Sequence, residues 1–258
     1  MTELGRRALG GVRSRARLGA SVCALLLAGA CRSTPPSGER VAEASHATAD
    51  AAPTSSVYLG RELAPPMSYL GADWLERPER DREEQPEHML DVLQIREGDT
   101  VADVGAGSGY YTERLARRVG ARGRVLDTDI QPEMIALIER RIREKGLRNV
   151  ETILATPSDA RLPPAAIDLV LMVDVYHELP EPLATLQQIA RALRPGGRLA
   201  LVEFRGEDPS VPIKTEHKMT LPQIEKELAA GGFTIERVDE SLPWQRVVIA
   251  APARGAPQ

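Results

Sequence analysis

The run Val101-Ala102-Asp103-Val104-Gly105-Ala106-Gly107-Ser108-Gly109 carries the sharpest chemical signal in the chain. Its three glycines are evenly spaced, and an acid, Asp103, sits two residues before the first. Glycine has no Cβ, so a ligand can lie directly on the backbone there. A second group, Asp174, Tyr176, His177 and Glu178, ends a later apolar run. His177 is its best candidate for a base, because an unperturbed imidazole has a pKa of about 6.5. The bland alternative is that His177 caps the next helix or bonds to a backbone carbonyl. Glu203 and Arg205 flank the end of another apolar run and could contact a substrate or pair with each other.

These residues need a scaffold, and the apolar pattern supplies one. Met89, Leu90, Val92, Leu93 and Ile95 fall at helical spacing within 82–96. Thr100 to Val104 is too short for a helix and reads as a buried strand that turns at the glycines. A helix at about 110–119 follows, then a strand from Arg124 to Asp129 and a helix that begins at Pro132 and ends at Gly146. Val150 to Leu154 and Ile167 to Val173 read as strands three and four, and 181–193 as a helix stopped by Arg194-Pro195-Gly196-Gly197. Arg198 to Phe204 is strand five, Leu221 to Ala230 a helix, and Phe233 to Val238 and Trp244 to Ala250 two last strands. The turn between those last two is too short for a parallel crossover. The expected fold is α/β and doubly wound: a mostly parallel seven-stranded sheet, helices on both faces, and a last antiparallel strand. In such a sheet ligands bind at the carboxyl ends of the strands, where the strand order switches.

A glycine-rich turn alone also serves nicotinamide and flavin enzymes. Their fingerprint places the third glycine three residues after the second, and here that position is Tyr110. The acidic-x-Gly-x-Gly-x-Gly turn instead resembles motif I of class I S-adenosylmethionine-dependent methyltransferases. The resemblance extends over about 100–250 and includes Leu193-Arg194-Pro195-Gly196-Gly197-Arg198-Leu199, which is similar to the motif after strand four. It implies that an acid ending strand two binds both ribose hydroxyls. Asp129 holds that place, 20 residues after Gly109, with Asp127 as its competitor. Strand alternation and the following Ile130-Gln131-Pro132 favour Asp129. By the same resemblance, Ser158 or Asp159 meets the adenine, with Asp159 favoured over a mere turn or cap role. The implied cofactor contacts are thus Asp103, Gly105, Ala106, Gly107, Gly109, Asp129, Ile130, Ser158, Asp159 and Asp174, with His177 and Asp174 as the catalytic candidates.

Methyl transfer from a sulfonium is an in-line displacement, so the protein's work is alignment, exclusion of water and removal of any proton. The acceptor is expected to be a small molecule. Residues 57–97, which include Trp74, are expected to form a helical segment over the cofactor, and 98–258 the methyltransferase domain. Gly206 to Thr220, with Lys214, His217 and Lys218, reads as either an acceptor lid or a solvated loop. The rival reading is a non-catalytic ligand-binding or envelope interaction protein on the same fold, with a nicotinamide oxidoreductase further behind.

Composition bounds these readings. The chain has 258 residues, 42% of them hydrophobic and only 3% aromatic, so its core must be aliphatic. Arg6, Arg7, Arg13, Arg15 and Arg17 stand against Glu3 in residues 1–30, so the rest is more acidic than the net charge of −4. An acidic body argues against nucleic-acid binding. The two cysteines, Cys23 and Cys31, both precede the folded body, which therefore holds no thiol for a disulfide or catalysis.

The arginines are followed by an apolar stretch from Leu18 to Ala30, the layout of an export signal over residues 1–30 and too short to span a bilayer. The stretch Leu25-Leu26-Leu27-Ala28-Gly29-Ala30-Cys31 resembles a bacterial lipobox, in which the cysteine is lipidated. It departs from that pattern in placing Leu27 four residues before Cys31. The expected location is therefore a membrane-anchored envelope lipoprotein, with the cytoplasm as the alternative. Residues 31–56, rich in Ser, Thr, Ala and Pro, read as a disordered tether, in which His46 is filler.

Overall fold

The computed structural model describes residues 57–253. The expected signal, the lipid-bearing Cys31 and the tether lie outside the described residues. No helix among the described residues is long and apolar enough to cross a membrane.

Seven strands form one sheet: β3 (Thr100–Val104), β4 (Arg124–Asp129), β5 (Val150–Leu154), β6 (Ile167–Val173), β7 (Leu193–Phe204), β8 (Phe233–Asp239) and β9 (Gln245–Pro252). Their order is β5-β4-β3-β6-β7-β9-β8. All neighbours are parallel except β9, which runs antiparallel to both β7 and β8. The expected fold class is observed. The chain winds outward from β3 through β4 to β5, then returns to the other side of β3 with β6. The order thus reverses between β3 and β6, and their carboxyl ends frame a crevice.

Alternation along each strand feeds two apolar layers. Ala102, Val170, Leu199 and Leu201 face a layer that includes Leu186 and Ile189 of α6 (Pro182–Ala192) and Ile224 and Leu228 of α7 (Leu221–Ala230). Val101, Leu169, Leu171 and Ala200 face the other layer, with Leu90 and Leu93 of α3 (Pro86–Leu93) and Leu115 and Val119 of α4 (Thr112–Val119). The central strands are therefore buried on both faces, which is why they read as continuous apolar runs. The remaining long helix, α5 (Pro132–Lys145), starts at Pro132 and stops at the left-handed Gly146.

Three departures from the sequence reading have local causes. The single helix expected over 82–96 is two, α2 (Arg80–Glu84) and α3, broken at Gln85, which takes a φ of 47°. Proline at 86 disfavours the helical conformation of the residue before it and has no N–H to extend a helix. The segment before it is not helical throughout: Val57–Tyr58 (β1) and Arg61–Glu62 (β2) form a small antiparallel hairpin, and α1 spans only Ala72–Leu75. Strand β7 begins at Leu193, which pairs with Ile167, so the Arg194–Gly197 turn lies inside the strand as an irregularity.

Candidate functional site

An open cleft lies at the carboxyl ends of β3, β4, β5 and β6. Asp103, Gly105, Ala106 and Gly107 line it from β3; Thr128, Asp129, Ile130 and Gln131 from β4; Asp159 from the segment after β5; and Asp174, Val175 and Glu178 from β6. Pro66, Met67, Trp74, Leu75 and Arg80 line it from the amino-terminal segment.

The turn after β3 is built for close approach. The N–H groups of Gly105 and Ala106 both donate to the carbonyl of Thr128, at 2.8 and 2.9 Å, which bends the chain across β4. Gly105 has a φ of +75°, and a Cβ there would meet the side chain of Val175 at 2.6 Å. Only glycine takes this backbone without strain.

Asp129 ends β4 with its carboxylate fixed: Oδ2 accepts from the N–H of Gly107 at 3.0 Å and Oδ1 from the N–H of Gln131 at 2.9 Å. Each oxygen keeps a further lone pair for a ligand. Burial raises its pKa, opposed by those backbone hydrogen bonds. Asp127 points away from the cleft. It is fully buried and accepts from the hydroxyl of Thr112 at 2.6 Å.

Three polar atoms on the cleft-lining residues are buried without a hydrogen-bond partner: Oδ2 of Asp103, Oγ1 of Thr128 and Oδ1 of Asp174. Burial pushes the Asp103 and Asp174 carboxyls well above the usual carboxylate range, and neighbouring acids add to it, Asp127 for the first, Glu84 and Glu203 for the second. Asp174 sits at a φ of 55°, its other oxygen held by Gln245 at 2.7 Å. Glu178 rises to about 7, chiefly through burial. Cleft-lining carboxyls with open valences suit a ligand that brings positive charge.

The amino-terminal segment is tied across this cleft. The Gln131 amide donates to the carbonyl of Met67 and accepts from the N–H of Tyr69, both at 2.8 Å. The Met67 N–H donates to Glu178 at 3.2 Å, and Ser108 donates to Glu76 at 2.6 Å. Arg80 lies 4.0 Å over the ring of Tyr110, pairs with Glu84 at 2.8 Å and also lines the cleft. Arg80 and Gln131 escaped the sequence reading, since nothing in their local pattern marks them.

Three expected contacts are not in the cleft. His177 is buried, with Nδ1 at 2.7 Å from Glu203 and Nε2 at 3.0 Å from His217, and it is not among the residues that line the cleft. The cause is a short helical turn, Tyr176–Glu178, that rotates it off the strand. Burial opposes the charged imidazolium, yet Glu203 beside it outweighs this and its pKa is raised. Ser158 turns its carbonyl to Gln188, and its neighbour Asp159 holds the cleft position while also accepting from the N–H of Arg161 at 2.6 Å. Gly109 leaves room for Thr112 and Ile138 rather than for a ligand. None of the loop 206–220 lines the cleft, and Val211 and Met219 are buried. Arg205 donates to backbone carbonyls of Leu242, Pro243 and Gln245, not to Glu203.

A family model described as a methyltransferase domain matches residues 102–201. The ubiquinone/menaquinone biosynthesis C-methyltransferase UbiE of Hydrogenovibrio crunogenus is 31% identical over 118 residues, 45% of this chain and 46% of that protein. Its counterpart from Shewanella frigidimarina is 30% identical over a stretch of the same length. The chain thus spans about half the length of these curated relatives. A crystal structure of a SAM dependent methyltransferase from Aquifex aeolicus is 29% identical and covers 72% of this chain and 98% of its own, with a TM-score of 0.68. A putative type 11 methyltransferase from Sulfolobus solfataricus, 16% identical with a TM-score of 0.57, shares the fold.

Proposed function

We propose that this chain is an S-adenosylmethionine-dependent methyltransferase acting on a small-molecule acceptor. The observation that carries the reading is the carboxyl set of the cleft: Asp129 with both oxygens oriented by backbone N–H groups, and Asp103 and Asp174 each with a buried, unpartnered oxygen. When bound, the cofactor supplies a methyl group on a sulfonium, with a neutral thioether as leaving group. Asp129 holds a vicinal diol, because one carboxylate can accept from two hydroxyls. The glycine turn lets the ligand approach the backbone. Asp103 and Asp174 meet its positive charge. The strap of Met67, Trp74 and Leu75 covers the cleft and excludes water, which strengthens each electrostatic contact. Asp174, rather than His177, is the cleft group that takes a proton from an acceptor.

The relatives are named as C-methyltransferases of ubiquinone/menaquinone biosynthesis, and the strap is largely apolar. A ring carbon of a quinone-type molecule is therefore the first acceptor to assay. The test is calorimetric titration of the full chain with S-adenosylhomocysteine and with NAD. Binding of S-adenosylhomocysteine alone is expected, and binding of NAD alone would overturn the assignment. A non-catalytic ligand-binding protein on this fold would bind the cofactor and transfer no label to any acceptor.

The proposed location follows from residues 1–31: removal of 1–30, lipidation of Cys31, and an anchor in the cell envelope. Several acyl chains hold a protein stably where one does not. The native protein should then sediment with membranes and Cys31→Ser should release it or leave the signal uncut. An unmodified full-length chain in the cytoplasm would sink this part of the reading.

A further inference from the structure

We propose that His177, His217 and Glu178 form a binding site for a first-row divalent transition ion such as Zn²⁺, at the edge of the cleft. The nearest ligand atoms are Nε2 of His177, Nδ1 of His217 and Oε1 of Glu178. They lie 3.0, 3.8 and 3.6 Å apart, taking the two imidazoles, then His177 with Glu178, then His217 with Glu178. Three points with those separations sit on a circle of about 2.0 Å radius, which is the length of a zinc–imidazole or zinc–carboxylate bond. One ion can therefore reach all three without moving any of them.

The outer contacts prepare the same site. The Glu203 carboxylate can only accept, so the Nδ1 of His177 donates to it at 2.7 Å. That leaves Nε2 with the lone pair, 3.0 Å from Nδ1 of His217 and 3.8 Å from Oε1 of Glu178. A buried carboxylate behind a ligating imidazole fixes the ring and raises its basicity. Glu203 is itself held by the N–H of Tyr176 at 3.0 Å. Arg61, the nearby guanidinium, pairs with Glu227 at 2.8 Å and donates to the carbonyl of His177 at 2.9 Å, so it holds the turn and not the three ligand atoms. Two imidazoles and one carboxylate are a borderline donor set, which favours Zn²⁺, Co²⁺ or Fe²⁺ over Mg²⁺ or Ca²⁺.

The three ligands come from two elements. His177 and Glu178 lie on the turn after β6, and His217 lies on a second short helical turn, Thr215–His217, of the 206–220 loop. An ion would cross-link that loop to the sheet edge. Glu178 belongs to both the cluster and the cleft wall, so the ion would stand where an oxygen of a cleft ligand could join it. The site rests on these side chains and not on the methyltransferase reading, so failure of that reading would leave it standing.

The test is direct binding of the metal alone. The full chain, freed of metal by chelator, is titrated with Zn²⁺ by calorimetry and with Co²⁺ by its visible absorption. Because Cys23, Cys31, His46 and His88 are also present, the readout is the difference between variants. The number of tightly bound ions should fall by one in His217→Ala and in Glu178→Gln. Glu203→Gln should keep the ion but weaken it roughly 10–100-fold, as loss of an outer contact to a ligating imidazole does. His217 is partly exposed, so its replacement spares the fold, which circular dichroism checks. No binding, or a count unchanged in either ligand variant, would overturn the site and leave a plain imidazole–imidazole hydrogen bond in its place.

Discussion

The N–H of Gly107 donates to Oδ2 of Asp129 at 3.0 Å, so the glycine turn and the acid at the end of β4 orient each other. Asp129→Ala removes both the partner of that N–H and the acceptor for a ligand diol. Its affinity for S-adenosylhomocysteine should fall by about one to two decades, the roughly 1.5–3 kcal/mol of a hydrogen bond to a charged group. Thermal unfolding should still be cooperative. Calorimetric titration decides the matter: an unchanged affinity would mean that this acid does not hold the ligand.

Gly107→Val should do more harm. Gly107 has a φ of +57°, where a β-branched residue is strained, and its Cβ would come within 2.9 Å of Leu75 in the strap. Backbone strain of this kind costs roughly 1–3 kcal/mol. The variant should melt lower than the native chain and show no heat of S-adenosylhomocysteine binding. A variant that binds normally would show that nothing approaches the backbone at this turn.

What could be read from the sequence was whatever depends on local period. The strand β6 announces itself because burial on both faces makes it almost continuously apolar, and Asp129 was preferred to Asp127 because it ends its strand just before Ile130-Gln131-Pro132. The structure puts Asp129 on the cleft and buries Asp127 against Thr112. Periodicity along β6 says nothing of the turn that follows, which sets His177 against Glu203. The break at Gln85 was legible, since Pro86 announces it. A cover from 57–97 was expected from the resemblance, but its fastenings were not legible: the partners of Met67 and Tyr69 lie more than 60 residues away, at Gln131 and Glu178.

Asp127 makes stability depend on pH in a definite direction. Burial pushes its carboxyl from an ordinary value of 3.8 up to about 7, against the lowering hydrogen bond from Thr112. A pKa raised in the fold means that the folded state favours the neutral acid. Its contribution is whole below pH 4, where both states are protonated, and is lost as pH rises through about 7. Asp127→Asn is neutral throughout and keeps an acceptor for the Thr112 hydroxyl. Denaturation midpoints measured at several pH values should therefore shift in favour of the variant between about pH 4 and 7. A constant gap would show that Asp127 is charged in the fold across that range.

Gln131→Ala tests whether the amino-terminal strap governs retention of the ligand. The Gln131 amide is spent at both ends on the strap, donating to the carbonyl of Met67 and accepting from the N–H of Tyr69. Its loss leaves two backbone groups to water, while the glycine turn and Asp129, which holds the backbone and not the side chain of Gln131, are untouched. Each such hydrogen bond contributes about 1 kcal/mol net, so the strap should open more often without unfolding of the sheet. The expected result is faster dissociation of S-adenosylhomocysteine with a smaller change in its association rate, since a cover acts mainly on release. Limited proteolysis should cut within 63–79 sooner than in the native chain, and added ligand should slow that cleavage. If dissociation and cleavage both match the native protein, the strap is held by Glu178, Glu76, Arg80 and its apolar contacts, and the Gln131 amide is not what closes the cleft.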